Sequence, residues 1–481
     1  MGDPGTNLSF FWHDYETFGR VPRRDRPAQF AGVRTNAQLE EIDAPVMLHC
    51  QPAPDFLPDP ESCLLTGITP QHCLQLGVAE QAFAAAIEQQ LARPGTVGVG
   101  YNSIRFDDEV TRHLFWRNLI DPYAREWRDG CGRWDLLDVV RCTRALRPDG
   151  IEWPVHEDGK PSLKLEHLTA ANGLAHEAAH DALSDVRATL ALARLIRARQ
   201  PRLWDFCLKL RHKAAVIDEI GSGRPFLHIS GMFAPERGGI AIVWPLGPHP
   251  TNKNELIVWD LAVDPETMAC LDAAQVRERM FTRADALPEG VTRLPIKTIH
   301  INKSPVVVGN LNTLSAPLAE RWGIDRAAAE RHAVVAARLA PQWQGLWPEV
   351  FERPAPAQRP DVDEDLYGGF VGNGDRARLQ RLRSLPPEQL ATQRTGFDDP
   401  RLEELVFRYR ARNFAATLTE DERQRWEQHR AARLIDGEGG GMTLQAFLDR
   451  IDVLNETADE RGQEILSSLY DYAEQIAPEL D

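Results

Sequence analysis

Over the first fifty residues, apolar side chains gather in three short runs, LSFFWHDYE, PAQFAGVRT and APVMLHCQP, the last leading into a Pro-rich loop. Runs of this length, rich in aromatic and β-branched residues, predict three strands. The period then lengthens. Residues 79–92 (AEQAFAAAIEQQLA) predict a helix, TVGVGYN a short buried strand, and DDEVTRHLFWRNL a further helix. WDLLDVVRCTRAL and LKLEHLTAANG also predict helices. The strongest helical pattern is HDALSDVRATLALARLIRARQ, with Leu183, Val186, Leu190 and Ala193 on one face. Strands first and strand–helix alternation afterwards predict an α/β domain over residues 8–200.

The pattern changes near residue 201. Residues 224–264 and 294–308 read as several strands separated by Gly, Pro and Asn turns, which predicts a small β-rich domain over 201–353, with helices from about 325 to 352. The Pro-rich stretch ERPAPAQRPDVDEDL predicts a linker. Charged helices follow over 359–478: GDRARLQRLRSL, DPRLEELVFRYRARNF, TEDERQRWEQHRAARL and one final helix to the end. No internal repeat is present.

Composition narrows the class. Of 481 residues, 43% are hydrophobic and 26% charged, as in ordinary globular proteins. No run approaches the roughly 18 apolar residues of a membrane span. The N-terminus lacks the basic and apolar regions of a signal peptide, so a cytoplasmic protein is expected. The seven cysteines are scattered without a CxxC pair, which argues against a zinc ribbon or a disulfide framework and predicts buried free thiols. The net charge of −16 disfavours a protein that coats nucleic acid. The charge is uneven, however: residues 359–481 carry 16 Arg against 26 acids, a sum of −10, whereas residues 201–253 carry seven cations against four acids, a sum of +3. A basic path through the first two thirds is compatible with these sums.

Candidate chemistry begins in FFWHDYETFG, where Asp14 and Glu16 end an aromatic strand and point to the same side of it. The D-x-E spacing alone is weak, since it recurs at Asp59/Glu61, Asp107/Glu109, Asp264/Glu266 and Asp436/Glu438. Two like charges at the end of a buried strand repel unless a cation lies between them. Asp107 and Asp108 open a helix after a strand and a turn, where capping is the competing explanation for Asp108. In AHDALSDVRAT, His180 and Asp185 are five residues apart, and Asp185 lies inside a helix, where Asp is a poor former. His176 and Asp181 have the same spacing, but Asp181 falls where the helix begins and capping accounts for it. Asp14, Glu16, Asp107 and Asp185, with His180, make an oxygen-rich set suited to magnesium or manganese. Two such ions about 4 Å apart clamp the attacking and leaving oxygens of an in-line phosphoryl displacement, and a histidine titrating near neutral pH accepts the proton of the attacking water.

The order D-x-E, Asp at a strand-to-helix junction, then H-x-x-x-x-D resembles the DEDDh group of 3′→5′ exonucleases. HDYETFG, RPAQFAGVRT, LLTGITP, GYNSIRFDDEVTR, RWDLLDV, LEHLTAANG, AHDALSDV, RQPRLWDF, HISGMF, HINKSPV and RYRARNF further resemble the bacterial exonuclease I family, from residue 13 to about 414; the segment after 430 resembles it least. The resemblance implies a ribonuclease H-like exonuclease domain, an SH3-like β domain and a C-terminal helical domain. It implies processive hydrolysis of single-stranded DNA from the 3′ end to 5′-mononucleotides, in DNA repair and recombination, by a monomer. Asp14, Glu16 and Asp185 would hold metal directly, Asp107 would hold a second ion, and His180 would be the general base, with two Mg2+ ions per site and Mn2+ as a substitute. Glu16 would also face the substrate.

Single strands are held by aromatic stacking and by cations along the phosphates. The stretch TRHLFWRNLIDPYAREWRDG interleaves both kinds of residue. Family position points to Arg112, Tyr123, Trp127 and Arg141 as strand contacts. Lys164 stands where the family has an Arg, which keeps the charge and loses the planar fork. Arg125 stands where an aromatic would be expected. Arg147, in ALRPDG, resembles a position with which the family binds the acidic C-terminal tail of single-stranded DNA-binding protein.

Overall fold

Strand β1 (Ser9–Thr17) forms where SFFWHDYET alternates its side chains. It pairs antiparallel with β2 (Pro27–Thr35), which pairs antiparallel with β3 (Val46–His49). Helices α1 (Pro60–Thr66) and α2 (Pro70–Leu76) each carry Pro in the first turn and are capped by Asp59 and Thr69. Helix α3 (Glu80–Leu91) leads to β4 (Thr96–Gly100), which lies parallel to β1, and then to α4 (Asp107–Arg117). Phe11 and Tyr15 of β1 pack with Phe30, Phe83, Ile87 and Leu114, so the odd-numbered face of β1 is core. The even-numbered face, from Phe10 and Trp12, ends in Asp14 and Glu16.

The computed structural model describes residues 8–175, 181–352, 360–393 and 396–478. The chain divides into two units, one of Met1–Gly132, His176–Arg187 and Ala357–Asp481, the other of Arg133–Ala175 and Ala188–Pro356. After β5 (Gly132–Asp135), the second unit holds α5 (Leu136–Leu146), α6 (Leu165–Ala171), most of α7 (Ala182–Arg199), α8 (Pro201–Lys209) and α9 (Lys213–Ile220). Its sheet consists of β6 (Phe226–Ile229), β7 (Ile240–Pro248), β8 (Glu255–Asp260), β9 (Ile296–His300) and β10 (Val306–Val308). They are antiparallel throughout, in the order β10-β6-β7-β8-β9. Helices α10 (Ala273–Phe281), α11 (Ala316–Arg321), α12 (Arg326–Trp343) and α13 (Trp347–Val350) complete this unit. The strands stand where the sequence places them; α8 to α11 do not emerge from its periodicity.

The C-terminal helices α14 (Asn373–Arg383), α15 (Pro387–Ala391), α16 (Arg401–Asn413) and α17 (Glu420–Leu434) belong to the first unit. The single final helix expected from sequence is two, α18 (Leu444–Asn455) and α19 (Glu460–Ile476). Asp459 makes the break by capping α19, its side chain accepting from the Gly462 amide at 2.8 Å. Phe447, Leu466, Leu469 and Tyr472 pack with Phe18, Phe56 and Cys63, so these helices share a core with the region around α1.

Residues 353–359 of the expected linker lie outside the described residues. The part that follows is anchored by charge rather than free. Asp361 pairs with Arg408 at 2.8 Å, Asp363 with Arg412 at 2.5 Å and Arg26 at 3.2 Å, and Glu364 with Arg23 at 3.0 Å and Arg24 at 3.1 Å. Six cysteines are buried as expected, and Cys270 is exposed. Among the described residues, no helix is long and apolar enough to cross a membrane.

Candidate active site

The ladder between β1 and β4 ends at the Trp12–Val99 pair, and β4 stops at Gly100. A Cβ on Gly100 would lie 2.9 Å from the His13 carbonyl oxygen, so the close approach of the two strands at this point requires glycine. The chain then turns through Asn102, at φ 63°, a left-handed conformation that Asn tolerates. It enters α4 at Asp107. The Tyr15 amide, beyond the reach of β4, donates to Asp107 Oδ1 at 3.2 Å. A carboxylate thus completes the sheet edge between the two acidic residues of β1. Thr111 fixes this corner: its hydroxyl donates to the Asp107 carbonyl at 2.8 Å and meets the Tyr15 hydroxyl at 3.0 Å.

Asp185 arrives from the first turn of α7. Asp181 caps that turn as expected, accepting from the Ser184 amide at 3.0 Å. A second tie was not legible in sequence: the Ala182 amide donates to Gln29 Oε1 at 3.3 Å. Gln29 stands opposite Glu16 in the β1–β2 register, which links the start of α7 to the strand beside the acidic pair. Carboxylate oxygens of Asp14, Glu16 and Asp185 all lie within 4.8 Å of one another. Asp107, bonded to the backbone between Asp14 and Glu16, adds its charge to theirs.

The electrostatics follow from this crowding. Burial raises the Asp14 carboxyl well above its ordinary range, and the charges of Asp107, Glu16 and Asp185 raise it further. Burial, then Asp185 and Asp107, push Glu16 up to about 8. Buried carboxylates held this close remain charged only with a cation among them. The donors are all hard oxygens, so the set fits a divalent metal ion of the magnesium, manganese or calcium kind. His180 lies outside the described residues.

Asp108 does more than open a helix: it accepts from Arg125 Nη2 at 2.5 Å, and both side chains are buried. Arg125, which stands where an aromatic was expected, is a core cation, and burial together with the Arg125 charge lowers the His13 pKa to about 4. Two other D-x-E pairs turn out to be helix caps, Asp59 accepting from the Glu61 amide and Asp264 from the Glu266 amide, each at 3.0 Å.

The remaining candidates are dispersed. In the first unit, Arg112 is buried and held by Glu126 at 2.7 Å and Glu109 at 2.8 Å, with its guanidinium 5.2 Å from the Tyr123 ring centroid. Trp127 is 64% exposed. In the second unit, Arg141 pairs with Asp138 at 2.6 Å, and the exposed Lys164 lies 3.4 Å from Glu166. Arg147 lines a cavity of about 510 Å3 with Arg202, Phe206, Asn310 and Thr313.

Three family models match the chain: an exonuclease model at residues 11–193, an exonuclease I SH3-like domain at 211–353 and an exonuclease I C-terminal domain at 360–476. The exodeoxyribonuclease I of Escherichia coli K12 is 43% identical over 481 residues, 99% of this chain and all of that protein. The solved exonuclease I of Methylocaldum szegediense is 49% identical with a TM-score of 0.92, covering 98% of this chain and 100% of its own. E. coli exonuclease I in complex with a dA16 oligonucleotide is 41% identical with a TM-score of 0.94, at the same coverages. The E. coli protein is also solved in a zinc-bound complex with single-stranded DNA, at a TM-score of 0.92, and an SSB/exonuclease I structure in complex with an inhibitor matches at 0.89. Likeness of this extent, over all three domains and with a cluster of converging carboxylates in the first of them, makes the chain a member of the exonuclease I family.

Proposed function

We propose that this enzyme hydrolyses single-stranded DNA from its 3′ end, one nucleotide at a time, releasing 5′-mononucleotides with the help of two magnesium ions. The observation that carries the reading is the convergence of Asp14, Glu16 and Asp185 within 4.8 Å, with Asp107 bonded between the first two. Asp14, Glu16 and Asp185 hold one ion and Asp107 contributes to the second. Divalent ions bound there supply charge neutralisation at the scissile phosphate and a more acidic attacking water. The chain's own part is positional. The Tyr15–Asp107 bond and the Ala182–Gln29 bond fix three segments relative to one another, so the carboxylates need not reorganise as charge develops. Glu16 also faces the terminal nucleotide, and His180 takes the proton of the attacking water.

Tyr123, Trp127 and Arg112 contact the strand, with Arg141 and Lys164 near its phosphates. Arg112 is already committed to two glutamates, so its part is to steady Tyr123 rather than to offer a free charge. In the Arg147 cavity, Arg147 and Arg202 outnumber the one carboxylate, Glu219, which suits the acidic tail of single-stranded DNA-binding protein. We place the enzyme in the cytoplasm, as a processive monomer acting in DNA repair and recombination.

The test uses single strands labelled at the 3′ or the 5′ end, with and without magnesium. Early release of the 3′ label as mononucleotide, only with magnesium and not in Asp14→Ala, is the expected result. Release from the 5′ end, or undiminished activity in Asp14→Ala with Asp185→Ala, overturns the reading.

A further inference from the structure

Three residues of the first unit stand in one row across the sheet: Glu16 of β1 lies opposite Gln29 of β2, and Gln29 lies opposite His49 of β3. Directly opposed residues share a face of the sheet. Gln29 is almost fully buried, and its carboxamide is engaged at both ends. Its Oε1 accepts from the Ala182 amide at 3.3 Å, and its Nε2 lies 3.2 Å from His49 Nε2. On the far side of His49, the His72 ring of α2 packs edge-on, with ring centroids 4.9 Å apart.

The donor and acceptor roles in this row are forced. Ala182 is the first residue of α7 and is fully buried, so its N–H has neither a partner within the helix nor water. An amide N–H only donates. The Gln29 oxygen therefore faces α7, and its NH2 group faces β3. That NH2 group only donates in turn, so His49 Nε2 is an acceptor and the ring carries its proton on Nδ1. Burial and then the neighbouring His72 hold the His49 imidazole below its ordinary pKa, against the opposing charge of Asp181. An imidazolium, or the other tautomer, would set N–H against NH2 and turn the carboxamide away from Ala182. The Asp181 side chain is no substitute, because it already accepts from the Ser184 amide. Asp185 follows within the same first turn, its amide bonded to the Asp181 carbonyl at 3.0 Å.

We propose that Gln29 is a positioning residue for hydrolysis: its carboxamide, oriented by a neutral His49, fixes the start of α7 and with it the Asp185 carboxylate against Asp14 and Glu16. Gln29 acts through Asp185 rather than on the reacting atoms. This role rests on the nuclease reading above and extends the support of the acidic site to β3.

The experiment compares wild type, Gln29→Met, His49→Phe and the double variant on oligothymidylate at saturating magnesium and pH 8, reading kcat and KM separately. Gln29→Met is expected to lower kcat about 10- to 100-fold, the cost of a shift of up to about 1 Å at a reacting centre, with KM within about 2-fold of wild type. His49→Phe lowers kcat less. Because His49 acts through the carboxamide, its loss adds nothing in the Gln29→Met background. Wild-type kcat in Gln29→Met, a loss confined to KM, or losses that multiply in the double variant overturns the proposal. A second measurement does not depend on how well Gln29→Met folds. In 15N-histidine spectra of wild type, with the His49 signals assigned by their absence in His49→Phe, the Nδ1–H tautomer is expected at pH 8. An Nε2–H tautomer removes the orientation of the carboxamide and overturns the proposal. Failure of wild type to release mononucleotides with magnesium would instead overturn the nuclease reading.

Discussion

Asp363→Asn is the sharpest probe of how the first unit is held together. Asp363 is almost fully buried and accepts from Arg412 at 2.5 and 3.1 Å and from Arg26 at 3.2 Å, with Arg408 at 3.6 Å. Asp55 answers the far side of Arg412 at 2.6 Å, and Asp361 answers Arg408. The substitution preserves shape and removes one of these carboxylates, leaving buried guanidinium groups undercompensated. A pair at 3.2 Å is worth on the order of 5 kcal/mol at an effective dielectric of 20. Desolvation offsets part of this, and breaking one side of a buried pair costs about 3–5 kcal/mol net. Urea denaturation at pH 7 reads that loss as a lower midpoint for the first unit.

The acid limb gives a second readout. The surrounding arginines outweigh burial and hold the Asp363 carboxyl well below its usual range. A depressed acid contributes stability that is complete above its unfolded pKa, near 4, and is lost as pH falls towards the folded value. Wild type therefore loses stability below about pH 4, whereas Asp363→Asn lacks this contribution at every pH. A variant within about 0.5 kcal/mol of wild type at pH 7 would refute the reasoning, because that is the size of an ordinary surface change.

Glu16→Gln is expected to abolish hydrolysis yet stabilise the metal-free protein. With Glu16 raised from 4.5 to about 8, the metal-free wild type loses stability as pH rises through that interval, by about 3 kcal/mol at pH 7, and the amide does not. Thermal melts in EDTA from pH 5 to 9 check this, and a destabilised variant refutes it. Trp127→Ala should weaken oligonucleotide binding about 5- to 150-fold, read by anisotropy at fixed salt, with Trp127→Phe largely restoring it. Arg147→Ala should lose most of its affinity for a peptide of the acidic tail in calorimetry, and unchanged affinity would remove Arg147 from that site.

The legible part of the active site was the part that repeats locally. Strand alternation puts Asp14 and Glu16 on one side, and an acid inside an apolar helix singles out Asp185. The contacts that unite these segments join residues far apart in sequence: Tyr15 with Asp107, Gln29 with Ala182, Arg125 with Asp108. No periodicity encodes such pairs, and Arg125 next to Trp127 reads as surface until its partner is known. The arginines of α16 and α17 look like a solvated charged face for the same reason. Arg408, Arg412 and Arg433 are in fact buried against acids from residues 55 and 361–363. Helices α8 to α11 were missed because short amphipathic segments lie among strand-like runs.

The brevity of β4 has a cost and a use. Two more paired residues would hand the Tyr15 amide a peptide oxygen from the neighbouring strand and evict the side chain that now sits there. Under the proposed role of Asp107, catalytic competence is partly a matter of where a β-ladder is left unfinished, and an insertion after Gly100 is expected to disarm the enzyme without altering a single acidic residue.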